Sequence, residues 1–289
     1  MNYHLKSLLK HLSSSNQRKA VRRYKRHFLN KVRPRRKISL KEMRSIIVDD
    51  LGIEKGDRII VSSSFGNVNA SFSPQEMIDL LMDIIGEKGI IMMPYYPPIN
   101  STEWAARHEV FDMRNTKSGM GVLTNVFSKM PGVYMSKHPT KAVCVWGKDA
   151  KEIAAGHDKA TTPFYWDSPY GRLLKQPSKS LGIGLKNIPI FHSFEDILTD
   201  PIDFYYQKDK YKLDLIDKDG TPTIVETYIH DDKVLNHCMT AGDYVRDLKC
   251  STYRRMSVGY KIMYVIDNDD LFDECRKRQF EIGNLRYRP

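Results

Sequence analysis

The chain has 289 residues, 41% hydrophobic and 28% charged, a composition typical of a globular protein with a buried core. It has neither an unbroken apolar run of about eighteen residues nor an apolar N-terminal segment, so we expect no membrane-spanning helix and no secretory signal. The four cysteines lie far apart in the sequence, which argues against a zinc ribbon or a disulfide framework and fits a reducing cytosol.

The net charge of +11 is unevenly distributed along the chain. Residues 1–37 contain thirteen Lys and Arg and no Asp or Glu, whereas residues 38–289 carry a net charge of −2. A partner that is attracted by net charge is therefore expected to bind residues 1–37. We divide the chain into a basic N-terminal arm, residues 1–37, and a near-neutral globular domain, residues 38–289.

Apolar residues recur in the arm at helical spacing, with Lys and Arg between them, which predicts a basic amphipathic helix. The apolar positions are Leu5, Leu8, Leu9, Leu12, Val21, Tyr24, Phe28 and Val32. This helix could pack on the globular domain, pack on a second subunit in a homo-oligomer, or lie on an anionic membrane surface. Nucleic acid is the least favoured partner, because no recognition motif or stacking aromatic cluster accompanies the charge.

Helices and strands alternate after the arm. Ser39 and Ser73 each begin a capping box, Ser-x-x-Glu, that opens an amphipathic helix. Each helix is followed by a short glycine-containing turn and an apolar strand, at residues 59–61 and 90–93.

Similar patterns continue to the C-terminus. They predict strands at residues 143–146, 180–183 and 258–266, helices at 121–130, 190–198, 240–249 and 268–281, and a hairpin around Gly220 within 211–234. This order of elements predicts an α/β fold. We expect a layered αβα arrangement with a central mixed sheet, an antiparallel hairpin insertion and the basic helical arm.

The sequence His192-Ser193-Phe194-Glu195 is the first candidate for chemistry. On a helix, His192 and Glu195 share one face, and a carboxylate beside an imidazole fixes its tautomer and raises its basicity. The pair could therefore act as a general base near neutral pH. The alternative is an exposed His–Glu pair on a helix surface. A metal site would need further ligands from a second motif, which the sequence does not offer.

Weaker signals lie at the ends of predicted strands. Ser63 and Ser64 follow the strand at 59–61, and Gly121 precedes a helix, where hydroxyl and amide groups can hold phosphate or polarise a carbonyl. Both patterns are also common in ordinary strand ends and turns. His138 before Pro139 is more typical of a structural histidine. No G-x-S-x-G motif supports a serine hydrolase.

Taken in order, short motifs of this chain resemble those of the aminoglycoside 3-N-acetyltransferase family, from about residue 39 to about residue 280. The matching segments are LGIEKGD at 51–57, IVSSS at 60–64, GEKG at 86–89, MP at 93–94, FD at 111–112, MPGV at 130–133, SKHP at 136–139, DSPY at 167–170 and HSFE at 192–195. Their common order makes the resemblance specific.

This resemblance implies an acyl-CoA-dependent N-acyltransferase that moves an acetyl or other acyl group to an amine, without a covalent enzyme intermediate and without a metal. His192 would be the general base and Glu195 would orient its ring. The residues expected to contact the acyl-CoA are Ser63, Ser64, Gly121, Val122 and Thr140. Those expected to contact the acceptor are Tyr96, Asp112 and His138.

Three positions depart from the family pattern. Ser62 stands where the family has histidine, Ala142 where it often has serine, and Pro189 where it usually has a small hydroxyl residue. These departures lie on the expected donor side, so the acyl group stays open between acetyl and others. His192 and Glu195 are unaffected.

The charge distribution guides the expected acceptor. A polycationic aminoglycoside calls for an acidic cleft, whereas residues 38–289 are nearly neutral and the arm is strongly basic. An amino sugar on a nucleotide or lipid diphosphate is anionic and suits these charges better.

We therefore expect N-acylation of an amino sugar for a surface polysaccharide. It would take place in the cytoplasm, with the arm near the inner face of the membrane or near pathway enzymes. The alternatives are an aminoglycoside acetyltransferase that confers antibiotic resistance, and a non-catalytic basic-armed binding protein on the same fold.

Overall fold

The computed structural model describes residues 36–199, 204–238, 241–282 and 285. Nearly all of the predicted basic helical arm lies outside the described residues, so the arm and its boundary after residue 37 stay predictions. The compact unit described below begins at Ile38.

The helices of this unit are mostly short. They are α1 (Leu40–Ser45), α2 (Pro74–Ile85), α3 (Ser101–Ala106), α4 (Val122–Phe127), α5 (Ala150–Ala154), α6 (Pro169–Leu173), α7 (Phe191–Leu198), α8 (Asp232–His237), α9 (Ala241–Tyr244) and α10 (Asn268–Ile282). A π-helical turn, Ile46–Asp50, continues α1, and 3₁₀ turns lie at Phe65–Asn67, His157–Lys159 and Val245–Asp247.

The strands form two sheets within the described residues. They are β1 (Arg58–Ser63), β2 (Ile90–Tyr95), β3 (Phe111–Asp112), β4 (Tyr134–Met135), β5 (Ala142–Gly147), β6 (Lys179–Ile183), β7 (Tyr211–Ile216), β8 (Pro222–Thr227), β9 (Arg254–Val258) and β10 (Lys261–Asp267). The large sheet has seven strands in the order β4-β5-β2-β1-β6-β10-β9, and the small one has the order β3-β7-β8.

The large sheet is mixed, as the sequence predicts. Strand β1 runs parallel to β2 and β6, while the pairs β2–β5, β4–β5, β6–β10 and β9–β10 are antiparallel. The parallel strands β1 and β6 therefore end at the same edge of the sheet. The predicted hairpin insertion is β7–β8, which the short strand β3 joins in parallel.

Apolar cores lie on both faces of the large sheet. Ile59 and Val61 of β1 belong to one cluster and Ile60 to the other, because successive residues of a strand point to opposite faces. The first cluster includes Met77 and Leu81 of α2; the second includes Phe191 and Phe194 of α7 and Leu271 of α10. This is the expected αβα layering.

The predicted capping boxes form at both helices. The Ser73 hydroxyl accepts a hydrogen bond from the Glu76 backbone N–H at 3.2 Å, and the Glu76 carboxylate accepts one from the Ser73 backbone N–H at 2.7 Å. Pro74 occupies the first helical position, where its missing N–H is not needed, and α2 ends at Gly86 with φ of 66°. The Ser39 box at α1 has the same form.

Three predicted elements differ in the structure. The single strand expected at 258–266 is two antiparallel strands, β9 and β10, because Gly259 adopts φ of 59° and turns the chain between them. The helix expected at 121–130 ends at Phe127. Strand β2 continues through Pro94, which is tolerated because the ladder with β1 ends at Met92.

No helix among the described residues combines the length and the apolar character needed to cross a bilayer.

Candidate active site

The candidate site lies where β1 and β6 end. The Ser64 backbone N–H donates to the Ile183 carbonyl at 2.8 Å, and the Asn67 side-chain amide donates to the Gly184 carbonyl at 2.8 Å. These bonds tie the two strand ends together. A loop, residues 184–190, leaves this edge of the sheet and leads into α7.

Two hydroxyl groups donate hydrogen bonds to the backbone of this loop and hold it in place. Ser62 Oγ donates to the Asn187 carbonyl at 2.9 Å, and the Tyr264 hydroxyl donates to the same carbonyl. Gly182 makes room for this arrangement, since a Cβ there would lie 1.8 Å from the Tyr264 ring. Ser62, one departure from the family pattern, therefore supports the loop that contains another, Pro189.

His192 and Glu195 form the expected pair on α7. His192 Nδ1 lies 2.8 Å from Glu195 Oε2; the His192 side chain is 28% exposed and that of Glu195 only 1%. A carboxylate only accepts, so the proton of this bond sits on Nδ1 and the ring's lone pair is left on Nε2. The geometry is that of a base oriented by a buried carboxylate, not of a pair fully exposed on a helix surface.

Aromatic rings enclose His192. Its ring centroid lies 5.0 Å from that of Phe164 and 4.8 Å from that of His230. His230 in turn stacks on Tyr206, with centroids 4.4 Å apart. Neither His230 nor Tyr206 belongs to a motif in the sequence, and only the fold brings His230 to His192.

Asp196 is a second buried carboxylate beside Glu195. It is fully buried, and its Oδ2 accepts hydrogen bonds from the Tyr206 hydroxyl, at 2.7 Å, and from the Thr162 hydroxyl. Burial raises the pKa of Asp196 to about 8. Asp196 was not among the expected site residues, although it directly follows Glu195 in the sequence.

His138 is not the cleft residue that the resemblance suggested. It is 1% exposed, its Nδ1 accepts from the Lys141 backbone N–H at 3.0 Å, and its Nε2 lies 3.1 Å from Thr227 Oγ1. Because both ring nitrogens are engaged within the protein, His138 has a structural role. Burial lowers its pKa well below the usual value.

His157 packs against His138, with ring centroids 4.6 Å apart. Its Nε2 donates to the Pro163 carbonyl at 2.9 Å, so its Nδ1, 2.8 Å from Ser136 Oγ, accepts. Burial lowers the pKa of His157 to about 4, so both histidines are neutral at pH 7.

Among the expected donor-side residues, the structure brings Ser63 and Gly121 together. A Cβ on Gly121 would lie 3.5 Å from the Ser63 carbonyl oxygen, and Gly121 has φ of 117°, which favours glycine. Ser64 Oγ accepts from the Asn67 amide at 2.9 Å, and Val122 is 47% exposed.

Thr140 does not fit the expected donor side. It is 1% exposed, and its backbone N–H donates to His138 Nδ1 at 3.2 Å. Its hydroxyl is buried beneath the surface and is not open to a cofactor.

Of the expected acceptor residues, Tyr96 reaches the aromatic cluster. Its hydroxyl lies 2.7 Å from that of Tyr170, whose ring packs 4.8 Å from Phe164. The Lys141 ammonium lies 4.8 Å from the centre of the Tyr96 ring, and burial lowers the pKa of Lys141 to about 8. Lys141 is a further site residue that sequence reasoning missed.

Asp112 lies on β3 of the small sheet and already has its partners. Its carboxylate accepts from Arg114 at 3.0 Å and from the Asn115 amide at 2.8 Å. Hydrogen bonds from Arg114 hold the pKa of Asp112 well below its usual range. An acceptor amine would have to displace these contacts, so Asp112 does not fit the expected role.

Within the described ranges, no group of three or more His, Cys, Asp or Glu side chains is arranged to hold a metal ion.

Comparison with known proteins gives a consistent result. The sequence profile of the aminoglycoside 3-N-acetyltransferase family matches residues 60–279. Aminoglycoside N(3)-acetyltransferase IX of Micromonospora chalcea is 25% identical over 169 residues, 50% of this chain and 58% of that protein. The match thus spans little more than half the length of that relative.

Two solved structures share the fold. AAC-VIa bound to sisomicin superimposes with a TM-score of 0.71 at 22% identity, covering 86% of this chain and 99% of that one. AAC-IIIb in a binary complex with CoASH gives a TM-score of 0.67 at 18% identity, covering 85% of this chain and 97% of that one. Sequence identities this low show a common fold.

The buried histidines predict a loss of stability in acid. His157 has a pKa of about 4 in the folded protein, below the ordinary 6.5, so the unfolded chain binds more protons between these values. As the pH drops from 7 to 4, His157 therefore lowers the free energy of unfolding by up to about 3 kcal/mol. Urea unfolding at pH 7 and pH 4.5 measures the change in this free energy, which should favour the folded state at pH 4.5 more in His157→Gln than in the unaltered protein.

Asp196 has the opposite effect on stability, since its raised pKa makes the folded state bind more protons as the pH falls. This effect is present in both His157→Gln and the unaltered protein, so it cancels when the two are compared. Replacing an exposed histidine, His108→Asn, is the matched control and should leave the pH dependence unchanged. Equal slopes in His157→Gln and the unaltered protein would contradict the assignment.

Proposed function

Because the chain belongs to the aminoglycoside 3-N-acetyltransferase family, we propose that it transfers an acetyl group from acetyl-CoA to an amine, with His192 as general base. The observation that carries this proposal is the bond between His192 Nδ1 and the buried Glu195 carboxylate. That bond leaves Nε2 as the basic nitrogen on a partly exposed ring. A partly exposed base beside a buried carboxylate is suited to removing a proton from a bound amine.

In this mechanism, His192 Nε2 takes a proton from the acceptor nitrogen as the nitrogen bonds to the thioester carbonyl carbon. The C–S bond then breaks, and the imidazolium returns the proton to the departing sulfur. Glu195 stabilises the imidazolium in between and keeps the ring in one tautomer. Binding both substrates in one cleft supplies the proximity that makes a single base sufficient.

The donor is proposed to bind where Ser63 and Gly121 meet. The backbone at this point is open, because Gly121 has no side chain, and the exposed Val122 offers an apolar surface beside it. Ser63 and Ser64 hydroxyls and the free amides at the start of α4 are suitable donors to pantetheine and phosphate oxygens. Acetyl-CoA is favoured as donor because a family relative of the same fold was solved with CoASH.

An aminoglycoside amine is the proposed acceptor. The sequence analysis gave it as the alternative and preferred an amino sugar of polysaccharide synthesis, on charge alone. The relatives favour the alternative, since one is named for N(3)-acetylation of aminoglycosides and another was solved with sisomicin. Glu195 supplies negative charge next to His192, whatever the net charge of the domain.

Removing the base should abolish most of the activity. We expect His192→Asn to lower kcat/KM by about 10²–10⁴ in a thiol-release assay with acetyl-CoA and an aminoglycoside. Glu195→Gln should lower it by about 10² or more, because an amide can donate to Nδ1 and so favour the wrong tautomer.

The matched controls are the exposed His108 and the partly exposed Glu103, which pairs with Arg107 on the surface. His108→Asn and Glu103→Gln should keep activity within about twofold, the range expected of surface substitutions. An active His192→Asn would exclude the base mechanism.

The acceptor is decided by offering alternatives in the same assay. We expect thiol release with kanamycin-type aminoglycosides and little with a nucleotide-linked amino sugar, since the Glu195 carboxylate beside the base favours a cationic acceptor over an anionic one. Longer acyl-CoAs test whether the departures at Ser62, Ala142 and Pro189 widen the donor site.

Turnover only with the nucleotide-linked sugar would restore the polysaccharide interpretation. If neither acceptor reacts and His192→Asn changes nothing, the remaining alternative is a binding protein without catalysis.

Contact of residues 1–37 with an anionic membrane, or with pathway enzymes, stays a prediction from the sequence. With a charge of +13 on an amphipathic pattern, residues 1–37 should bind anionic lipid, and this binding should weaken at high salt. Deleting residues 1–37 should reduce pelleting with anionic liposomes and leave turnover in solution near normal. Neutral liposomes are the control, and equal pelleting of both proteins would remove the membrane role.

A further inference from the structure

Asp196 is a buried acid that the proposed mechanism does not use. It is fully buried, and the Tyr206 and Thr162 hydroxyls both donate to its Oδ2. Among the described residues, Oδ1 has no hydrogen-bond partner. A buried carboxyl with so little compensation destabilises a fold, so its presence one residue from Glu195 calls for a role.

The first hydroxyl connects Asp196 to His230. Tyr206 and His230 lie opposite each other in a short antiparallel bridge, flanked by hydrogen bonds from Gln207 N to Ile229 O and from Asp231 N to Tyr205 O, both 2.9 Å. Their rings stack with an angle of 24° between planes. Fixing the Tyr206 hydroxyl on Asp196 therefore fixes the ring on which His230 rests.

The second hydroxyl connects Asp196 to Phe164. Thr162 Oγ1, while donating to Asp196, accepts from the backbone N–H groups of Phe164 at 3.3 Å and Tyr165 at 3.1 Å. The short loop that carries Phe164 is thus fastened to the same carboxyl oxygen. Phe164 and His230 are also parallel, with an interplanar angle of 8°.

Phe164 and His230, which contact the His192 ring, are therefore both positioned through one atom, Asp196 Oδ2. Phe164 lies 5.0 Å and His230 4.8 Å from the His192 ring, centroid to centroid. We propose that Asp196 is a positioning residue, which clamps Phe164 and His230 around His192 and so keeps the imidazole on Glu195. This inference rests on the proposed base role of His192.

The reason for such a clamp lies in the geometry of proton transfer. His192 is partly exposed and is near the start of α7, and the hydrogen bond to Glu195 fixes the position of one ring nitrogen but not the tilt of the ring plane. A catalytic group has to stay within about 0.5 Å of its productive position, and a displacement of about 1 Å can lower the rate by about 10². Two rings packed against the imidazole remove that freedom.

The test is Tyr206→Phe, which removes one hydroxyl and keeps the ring. Tyr95→Phe is the matched control, because Tyr95 is equally buried, at 6% exposure against 5% for Tyr206, and its hydroxyl donates to the Thr116 carbonyl at 2.8 Å. We expect Tyr206→Phe to lower kcat about tenfold with little change in KM for acetyl-CoA. Tyr95→Phe should keep kcat within about twofold.

A second readout does not depend on turnover. In protein labelled with ¹⁵N-histidine, the His192 ring signals, assigned by their loss in His192→Asn, report its tautomer and its titration. We expect Tyr206→Phe and His230→Ala to shift the titration midpoint and mix the tautomers, and His230→Phe, which keeps a ring in place, to restore part of the effect.

Unchanged kcat and unchanged His192 signals in Tyr206→Phe would overturn the clamp. If no amine is acetylated by the unaltered protein, the proposed function fails. The ring signals of His192 then still decide whether Asp196 positions it.

Discussion

The hydrogen bond between His192 and Glu195 is the interaction on which the site depends. A carboxylate that is 1% exposed is stable only with a strong partner, and the partner here is an imidazole that is itself 28% exposed. Glu195 is therefore shielded from solvent and fixed in place, whereas His192 reaches the surface. Base chemistry needs this asymmetry, since a fully exposed pair would lose its orientation and a fully buried one would not meet a substrate.

The fold provides that asymmetry through the edge of its sheet. Strands β1 and β6 end together, and the loop after β6 is fastened to Ser62 and Tyr264 before it enters α7. Ser62 departs from the family pattern, yet it supports the loop that contains another departure, Pro189.

Family membership and local structure answer different questions about this protein. The family fixes the fold and the class of chemistry, and the relatives point to an aminoglycoside where charge alone pointed to an anionic amino sugar. The structure adds features of this particular chain, such as the half-buried Lys141 over the Tyr96 ring and the Asp196 carboxyl that accepts a hydrogen bond from Tyr206.

The sequence by itself determined the αβα layering, the capped helices α1 and α2, and the His192–Glu195 pair, because each depends on residues within a few positions of one another. Only the tertiary structure showed that His138 and Thr140 are buried, that Asp112 is bound by Arg114, and that the His230 ring packs against His192. These facts depend on contacts between distant segments. Local spacing governs which residues share a helix face, but burial and pairing are set by the packing of the whole domain.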